Sequence, residues 1–388
     1  MKKNLTIVLG ALLAITLVAC DSHNQPVNPS EEKEKALLEA LVPYAENNVI
    51  FTYNQLSNAA CDLYTACRNI LAKFDAGTLA EGDISQACAY WNTARKYWEL
   101  SEAFLFGPAG NHNIDPHIDS WPLDKDMMDN MLGNEAKMKE IETLGSDAIV
   151  SLGYGLLGFH AVEYMLYELS ADGTQSHTHS LDYTRAELVY LVAVAEDLRN
   201  QTVCLEACWA GFDRLTADKQ TLLEQAELNY GETYADYFRY AGQPGSIYKT
   251  AKEAAEELIQ GCIDIADEVG NTKIGTPCFA ANDEDRDYIE SPYSLNSIED
   301  FTDNIISIRN SYNGMSGDRS ISDWVKSVNP DLDARMQKAL ENAVNAIQAI
   351  PEPFARTAGS EVAQKAVTVV GTDLVGVLEE VYAALSEY

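Results

Sequence analysis

The chain has 388 residues, 46% of them hydrophobic, and sets 60 acidic against 27 basic residues for a formal net charge of −33. That balance repels nucleic acid and anionic lipid headgroups, so neither is expected as a partner. The apolar fraction is ample for buried cores, and the length suggests about two domains.

The N-terminus reads as an export signal. Lys2 and Lys3 form a positive start, Ile7 to Val18 an apolar stretch, and Leu17-Val18-Ala19-Cys20 its close. This order of charge, short apolar core and small residue before a cut is what a signal peptide requires. The run is too short for a comfortable membrane span of roughly 20 residues. Leu17 to Cys20 resembles a lipobox, so residues 1–19 are expected to be removed and Cys20 to be acylated, anchoring the protein to a lipid membrane. Cleavage would leave 25 basic against 60 acidic residues. Residues 20–30 are polar and proline-bearing, the composition of a tether. Of the eight cysteines, seven then remain, an odd number that leaves at least one free thiol, and none sits in a CxxC pair.

Helical periodicity dominates the rest of the chain. Glu31 to Phe74 reads as one long helical region with Pro43 a kink or break. Ser85 to Phe106 is a second helix, stopped by Gly107-Pro108. Gly110 to Asp124 has two prolines and no period, so it reads as a loop. Short helices are expected at Lys125 to Leu132 and Glu135 to Thr143, and a longer one from Asp147 to Leu169. The polar Ala171 to Ser180 stretch suggests a boundary between domains of residues 31–175 and 176–388. Beyond it, Leu181 to Ala210, Ala217 to Tyr240, Ile247 to Val269, Ser297 to Tyr312, Leu332 to Ile350 and Thr357 to Leu385 read as helices, with Gly270 to Ser294 irregular. Strand-like alternation is absent. The expectation is an all-α protein of two helical bundles.

Chemistry-bearing residues fall on two of these helices. Leu152, Leu156, His160, Glu163 and Tyr167 step by three or four and share an otherwise apolar face, so His160 and Glu163 are expected to point inward. A buried carboxylate needs a partner; the two residues pairing with each other satisfies that need as well as a metal does. Trp91, Arg95, Trp98, Glu102 and Leu105 repeat the spacing, and Glu99 lies three before Glu102. Together these residues put one imidazole and several carboxylates between helices, as carboxylate-bundle metal proteins do; a plain ion pair of Arg95 with Glu99 or Glu102 is the alternative. Asp115, His117 and Asp119 alternate in the loop, a pattern that ligates metals but more often closes turns. Asp303 and Arg309 flank the buried stripe of the helix begun by Ser297.

Four blocks resemble the imelysin family of iron-regulated lipoproteins. They are Ala94-Arg95-x-x-Trp98-x-x-x-Glu102-Ala103-Phe104-x-Phe106-Gly107-Pro108, then Ile118-Asp119-Ser120-Trp121-Pro122, then the Gly158-x-His160-x-x-Glu163 motif, then Ser291-Pro292-Tyr293-Ser294 leading to Asp300-Phe301-x-Asp303-Asn304-Ile305. The resemblance implies two helical domains with a cleft at their interface, in a lipid-anchored protein of the bacterial envelope, on the periplasmic face or outer-membrane surface, tied to iron acquisition. Carried over by position, His160 and Glu163 are expected metal ligands, with Glu102 and Glu99 completing the shell. Arg95, Asp119, Ser291, Asp303 and Arg309 are further cleft residues.

The family is classed with metallopeptidases, yet a zinc protease needs two histidines around its general base. Tyr164 stands where the inverted motif has its second histidine, which leaves the motif short of the usual three protein ligands for catalytic zinc. Carboxylates with one imidazole suit hard or borderline cations, iron first and zinc second. Three functions are open to such a chain: capture of iron or an iron-bearing ligand, metallopeptidase activity with Glu163 as base, or a scaffold in an outer-membrane transport complex.

Overall fold

The computed structural model describes residues 29–315 and 317–387. The expected signal segment, the lipidation site Cys20 and most of the tether lie outside the described residues; the tether's last two, Pro29 and Ser30, already belong to the first helix. No described helix is long and apolar enough to cross a membrane.

The protein is mostly helical. Pro29–Pro43 runs into a π-helical segment, Tyr44–Ile50, and then into Phe51–Asp75. Pro43 therefore does not stop the helix; its missing N–H coincides with the wider π turn on its C-terminal side. In the Phe51–Asp75 helix Tyr53, Leu56, Ala60, Leu63, Cys67 and Ile70 recur every three or four residues and are all buried. That stripe packs against Glu81–Glu99, which buries Ile84, Cys88, Trp91, Arg95 and Trp98, and against Arg185–Ala210. Thr184 caps the last of these through the N–H of Glu187.

A second group of helices packs around Ala251–Asp267, which meets Pro29–Pro43, Ser297–Asn313 and Val375–Ser386; Pro330–Gln348 lies on Ser297–Asn313. The packing does not divide at residue 175. Arg185–Ala210 joins the first group, and Pro29–Pro43 joins the second. Glu81–Glu99 and the 3-10 turn after it, Glu102–Phe104, touch Ser297–Asn313 where the groups meet.

One expected helix is corrected by the structure. The helix read from Asp147 to Leu169 is broken into 3-10 turns at Gly145–Ala148 and Tyr154–Leu156, and becomes α-helical only at Gly158–Leu166. Leu152 and Leu156 thus precede the helix that carries His160. Glycine at 153, 155 and 158 lowers helix stability by roughly 1 kcal/mol each, and Gly158 has a left-handed φ of 71°. The all-α class holds, with one small addition: Tyr167–Leu169 pairs antiparallel with Ser176–Thr178, in the register Tyr167↔Thr178. The connecting polar stretch is the tip of this hairpin.

Lesser differences have similar causes. The Ser85 to Phe106 helix starts earlier, at Glu81, and ends at Glu99. The expected 110–124 loop contains helical turns at Pro108–Asn111 and Ile114–Ile118. Ala217 to Tyr240 shortens to Ala217–Gln225 and Ala235–Arg239, and an additional helix, Ile321–Val328, is opened by a Ser320 capping box. The irregular 270–294 stretch begins inside a π segment, Glu268–Ile274. There Gly270 lies backbone to backbone against Gly371 of a further π segment, Val369–Leu374, with no room for a Cβ. All seven described cysteines are free thiols.

Candidate metal centre

Arg95 is fully buried, so its charge needs carboxylates. Its Nη2 lies 2.5 Å from Glu99 Oε1 and 2.6 Å from Glu290 Oε1, its Nε 3.3 Å from Asp300 Oδ2, and its Nη1 donates to Asp119 Oδ1. Lys273, 1% exposed, is the second internal cation. Its Nζ lies 3.1 Å from Glu290 Oε1, 3.8 Å from Glu99 Oε2 and 3.9 Å from Glu102 Oε2, over the ring of Trp121.

His160 joins this network from the other side. Its Nδ1 is 3.2 Å from Glu163 Oε2, and its Nε2 is 3.2 Å from Asp119 Oδ1 but off the line of a hydrogen bond. Glu163 is held from behind: its Oε1 accepts from the N–H groups of Tyr293 (3.0 Å) and Ser294 (2.7 Å) and from the Ser294 hydroxyl (2.7 Å). The turn presenting those donors includes Ser291, at φ 50°, whose hydroxyl donates to Asp300 Oδ2. Asp119 Oδ2 accepts from Trp98 Nε1 at 2.6 Å.

Gly158 explains how Asp119 and His160 come together. A Cβ on it would run into the backbone of Ile118. Only glycine lets the start of the Gly158–Leu166 helix rest on the peptide next to Asp119 while adopting a positive φ.

Five buried carboxylates, Glu99, Glu102, Asp119, Glu290 and Asp300, face two permanent cations, Arg95 and Lys273. Protons or a further cation must offset the excess. Burial pushes the carboxyls of Glu99 and Glu102 well above the usual range despite the nearby cations, and Asp300 up to about 6. Burial acts to raise Asp119 as well, but Arg95 and then His160 hold it well below its ordinary value. Burial would lower His160, yet Asp119 and Glu163 outweigh it and bring the imidazole up to about 9.

Two sets of ligand atoms lie within 4.8 Å of one another: Asp119, His160 and Glu290, and Glu99, Glu102 and Asp119. The Lys273 ammonium approaches both sets, at 3.1 Å from Glu290 and at 3.8 and 3.9 Å from Glu99 and Glu102, and only the first set includes an imidazole. In the first, Glu290 Oε2 is buried without a hydrogen-bond partner, as is His160 Nε2. Two hard oxygens and one imidazole fit a borderline or hard cation, and the orphaned atoms mark where one fits.

The structure thus brings His160, Glu99, Glu102, Arg95 and Asp119 into one network. Glu163 belongs to neither ligand set; it backs the imidazole. Ser291 reaches the network through Asp300. Asp303 lies apart from both sets, buried with Lys96 Nζ at 3.7 Å, and Arg309 is exposed on the surface. The alternating loop triplet separates, since His117 Nε2 pairs with Asp197 at 2.7 Å while Asp119 turns to Arg95. The ion pair of Arg95 with Glu99 does form. Glu290 and Lys273 escape the sequence reading; both come from the 268–294 stretch, which has no periodicity to assign a face.

The imelysin (peptidase M75) family model matches residues 49–381. The chain belongs to the imelysin family. Among curated proteins this imelysin is 26% identical over 291 residues to iron-regulated protein A of Synechococcus elongatus, covering 74% of this chain and 70% of that one. Among solved structures it is similar to an iron-regulated protein A precursor from Parabacteroides distasonis, with a TM-score of 0.72, 26% identity, and 92% and 96% of the two chains covered. An imelysin-like protein from Psychrobacter arcticum shares the fold at a TM-score of 0.60 and 11% identity, covering 90% and 93%. The imelysin motif, Gly158-x-His160-x-x-Glu163, therefore has a structural division of labour: Gly158 makes the close approach, His160 faces the carboxylates, and Glu163 orients the ring.

Proposed function

We propose that this imelysin binds a metal ion, iron before zinc, through Asp119, His160 and Glu290. The observation that carries the reading is the buried Asp119–His160–Glu290 set, whose ligand atoms lie within 4.8 Å of one another beside unpartnered Glu290 and His160 atoms. The excess of buried carboxylates supports it, since a cation relieves what protons otherwise must. Relatives named iron-regulated favour iron, and a donor set of oxygens with one imidazole suits it.

In this reading Glu163 accepts from His160 Nδ1–H and directs Nε2 toward the ion, the usual role of a carboxylate behind a metal-bound histidine. Lys273 and Arg95 keep the surrounding acids in place and set the net charge the ion meets. The protein acts as a capture component of bacterial iron uptake, anchored at the envelope through acylated Cys20 and handing its cargo to an outer-membrane transport complex. The metallopeptidase alternative requires Glu163 as general base. Both Glu163 oxygens are occupied, one by three donors and one by His160, so the geometry favours binding over hydrolysis.

Titration of metal-free protein with ferrous ion and with zinc tests this. One high-affinity site is expected in the wild type, and its loss in the Asp119→Asn, His160→Ala double variant. Unchanged binding in that variant would remove the assignment.

A further inference from the structure

Beside the imidazole lies a cavity of about 440 Å³. It touches His160 but none of the carboxylates of the ligand sets. That volume gives far more space than one ion needs. The volume falls within the range of small-molecule pockets, about 300–1,000 Å³.

Its walls are of the wrong chemistry for a bare cation. Trp121, Leu123, Leu169, Ile289, Pro292 and Tyr293 supply apolar and aromatic surface. The charged groups at its edge are Arg286, Arg356 and a single acid, Asp287. In a chain with more than twice as many acids as bases, two arginines against Asp287 and the Asp283 partner of Arg286 make this edge locally balanced rather than acidic. Both arginines are exposed: Arg286, 62% exposed, donates from Nη1 to Asp283 and keeps its other guanidinium nitrogens for a ligand, and Arg356 donates to the Asp172 carbonyl across the hairpin tip. Planar guanidinium groups recognise carboxylates and other anionic oxygens.

We propose that this cavity takes an anionic organic chelator with an aromatic or alkyl body, which brings its metal ion to His160. The inference rests on the metal-binding reading and deepens it by naming the class of ligand. Arg286 and Arg356 meet the anionic groups, Trp121 and Tyr293 pack on the body, and His160 at the inner wall is the polar group through which the chelate reaches Asp119 and Glu290.

Calorimetric titration of the full mature protein separates the two claims. The probes are ferrous sulfate under anaerobic conditions and the ferric complex of 2,3-dihydroxybenzoate. The wild type is expected to bind both. The Arg286→Gln, Arg356→Gln variant, checked for fold by circular dichroism, is expected to lose about tenfold in affinity for the ferric complex. Ferrous binding by the wild type without binding of the complex, or equal affinity of wild type and variant for it, would overturn the chelator proposal and leave the metal site standing. Binding of neither probe would end both.

Discussion

Glu163 Oε2 lies 3.2 Å from His160 Nδ1, and the other Glu163 oxygen is fixed by two backbone N–H groups and one hydroxyl from residues 293 and 294. The imidazole is thereby held by a turn more than 130 residues away in sequence, with Nε2 3.2 Å from Asp119 Oδ1 but without a hydrogen-bond partner.

This arrangement predicts a graded response to mutation. Glu163→Gln should keep the ring in place less firmly and lower metal affinity by about 10- to 100-fold, the usual effect of losing a partner behind a metal ligand. His160→Ala should abolish high-affinity binding. Equilibrium dialysis of both variants checks the order; equal losses would make Glu163 a direct ligand.

Protonation sets a pH dependence. In the metal-free protein His160 titrates at about 9, so an ion binding at neutral pH must displace a proton. Affinity should rise by about tenfold per pH unit below 9 for the single proton released. Isothermal titration in buffers of different ionisation enthalpy measures that release.

The same shifts govern stability without metal. His160 is raised above its unfolded value of 6.5, so its contribution is complete below that pH and is lost as pH climbs through 9. Asp300, raised from 3.8 to about 6, loses its own across that lower interval. Asp119, depressed, acts in the opposite sense only in acid. Denaturation of metal-free protein should therefore require less urea at pH 9 than at pH 6, with iron narrowing the difference.

Lys273 faces Glu290, Glu99 and Glu102 from within the core. Lys273→Met leaves these acids without that partner and should destabilise the fold by about 3–5 kcal/mol. Adding Glu102→Gln should restore part of the loss, since it removes one of the uncompensated charges. Urea unfolding of the single and double variants gives both numbers; additive losses would contradict the coupling.

Gly158→Ala should destabilise by about 1–3 kcal/mol from its positive φ alone, and by more from the collision with Ile118. Because that peptide adjoins Asp119, metal affinity should fall with it. Thermal melts and dialysis on one preparation test the linkage.

Much of this centre is legible in the sequence, and the reason is periodic. Arg95 and Trp98 sit on a helix whose apolar partners repeat every three or four residues, so their inward direction can be read directly. His160 and Glu163 are also read correctly as inward, although Leu152 and Leu156, used to define their face, precede the helix. Gly153, Gly155 and Gly158 are the boundary of that helix and not a cost carried inside it, which is why a continuous period misplaces its start. Glu290 and Lys273 are not legible, because a π turn and a loop impose no repeat that assigns a face. The polar stretch at 171–180 marks exposure, and in the structure it is a hairpin tip. Arg309 shows the limit of flank reasoning, since a residue beside a buried stripe can equally face water.

Anomalous diffraction from crystals of the mature protein loaded with iron, collected on both sides of the iron edge, bears most directly on the metal assignment. A single strong peak within about 2.0–2.3 Å of His160 Nε2 and of oxygens from Asp119 and Glu290 is expected. A peak confined to surface acids, or one bound by the acids around Lys273 without His160, would contradict it.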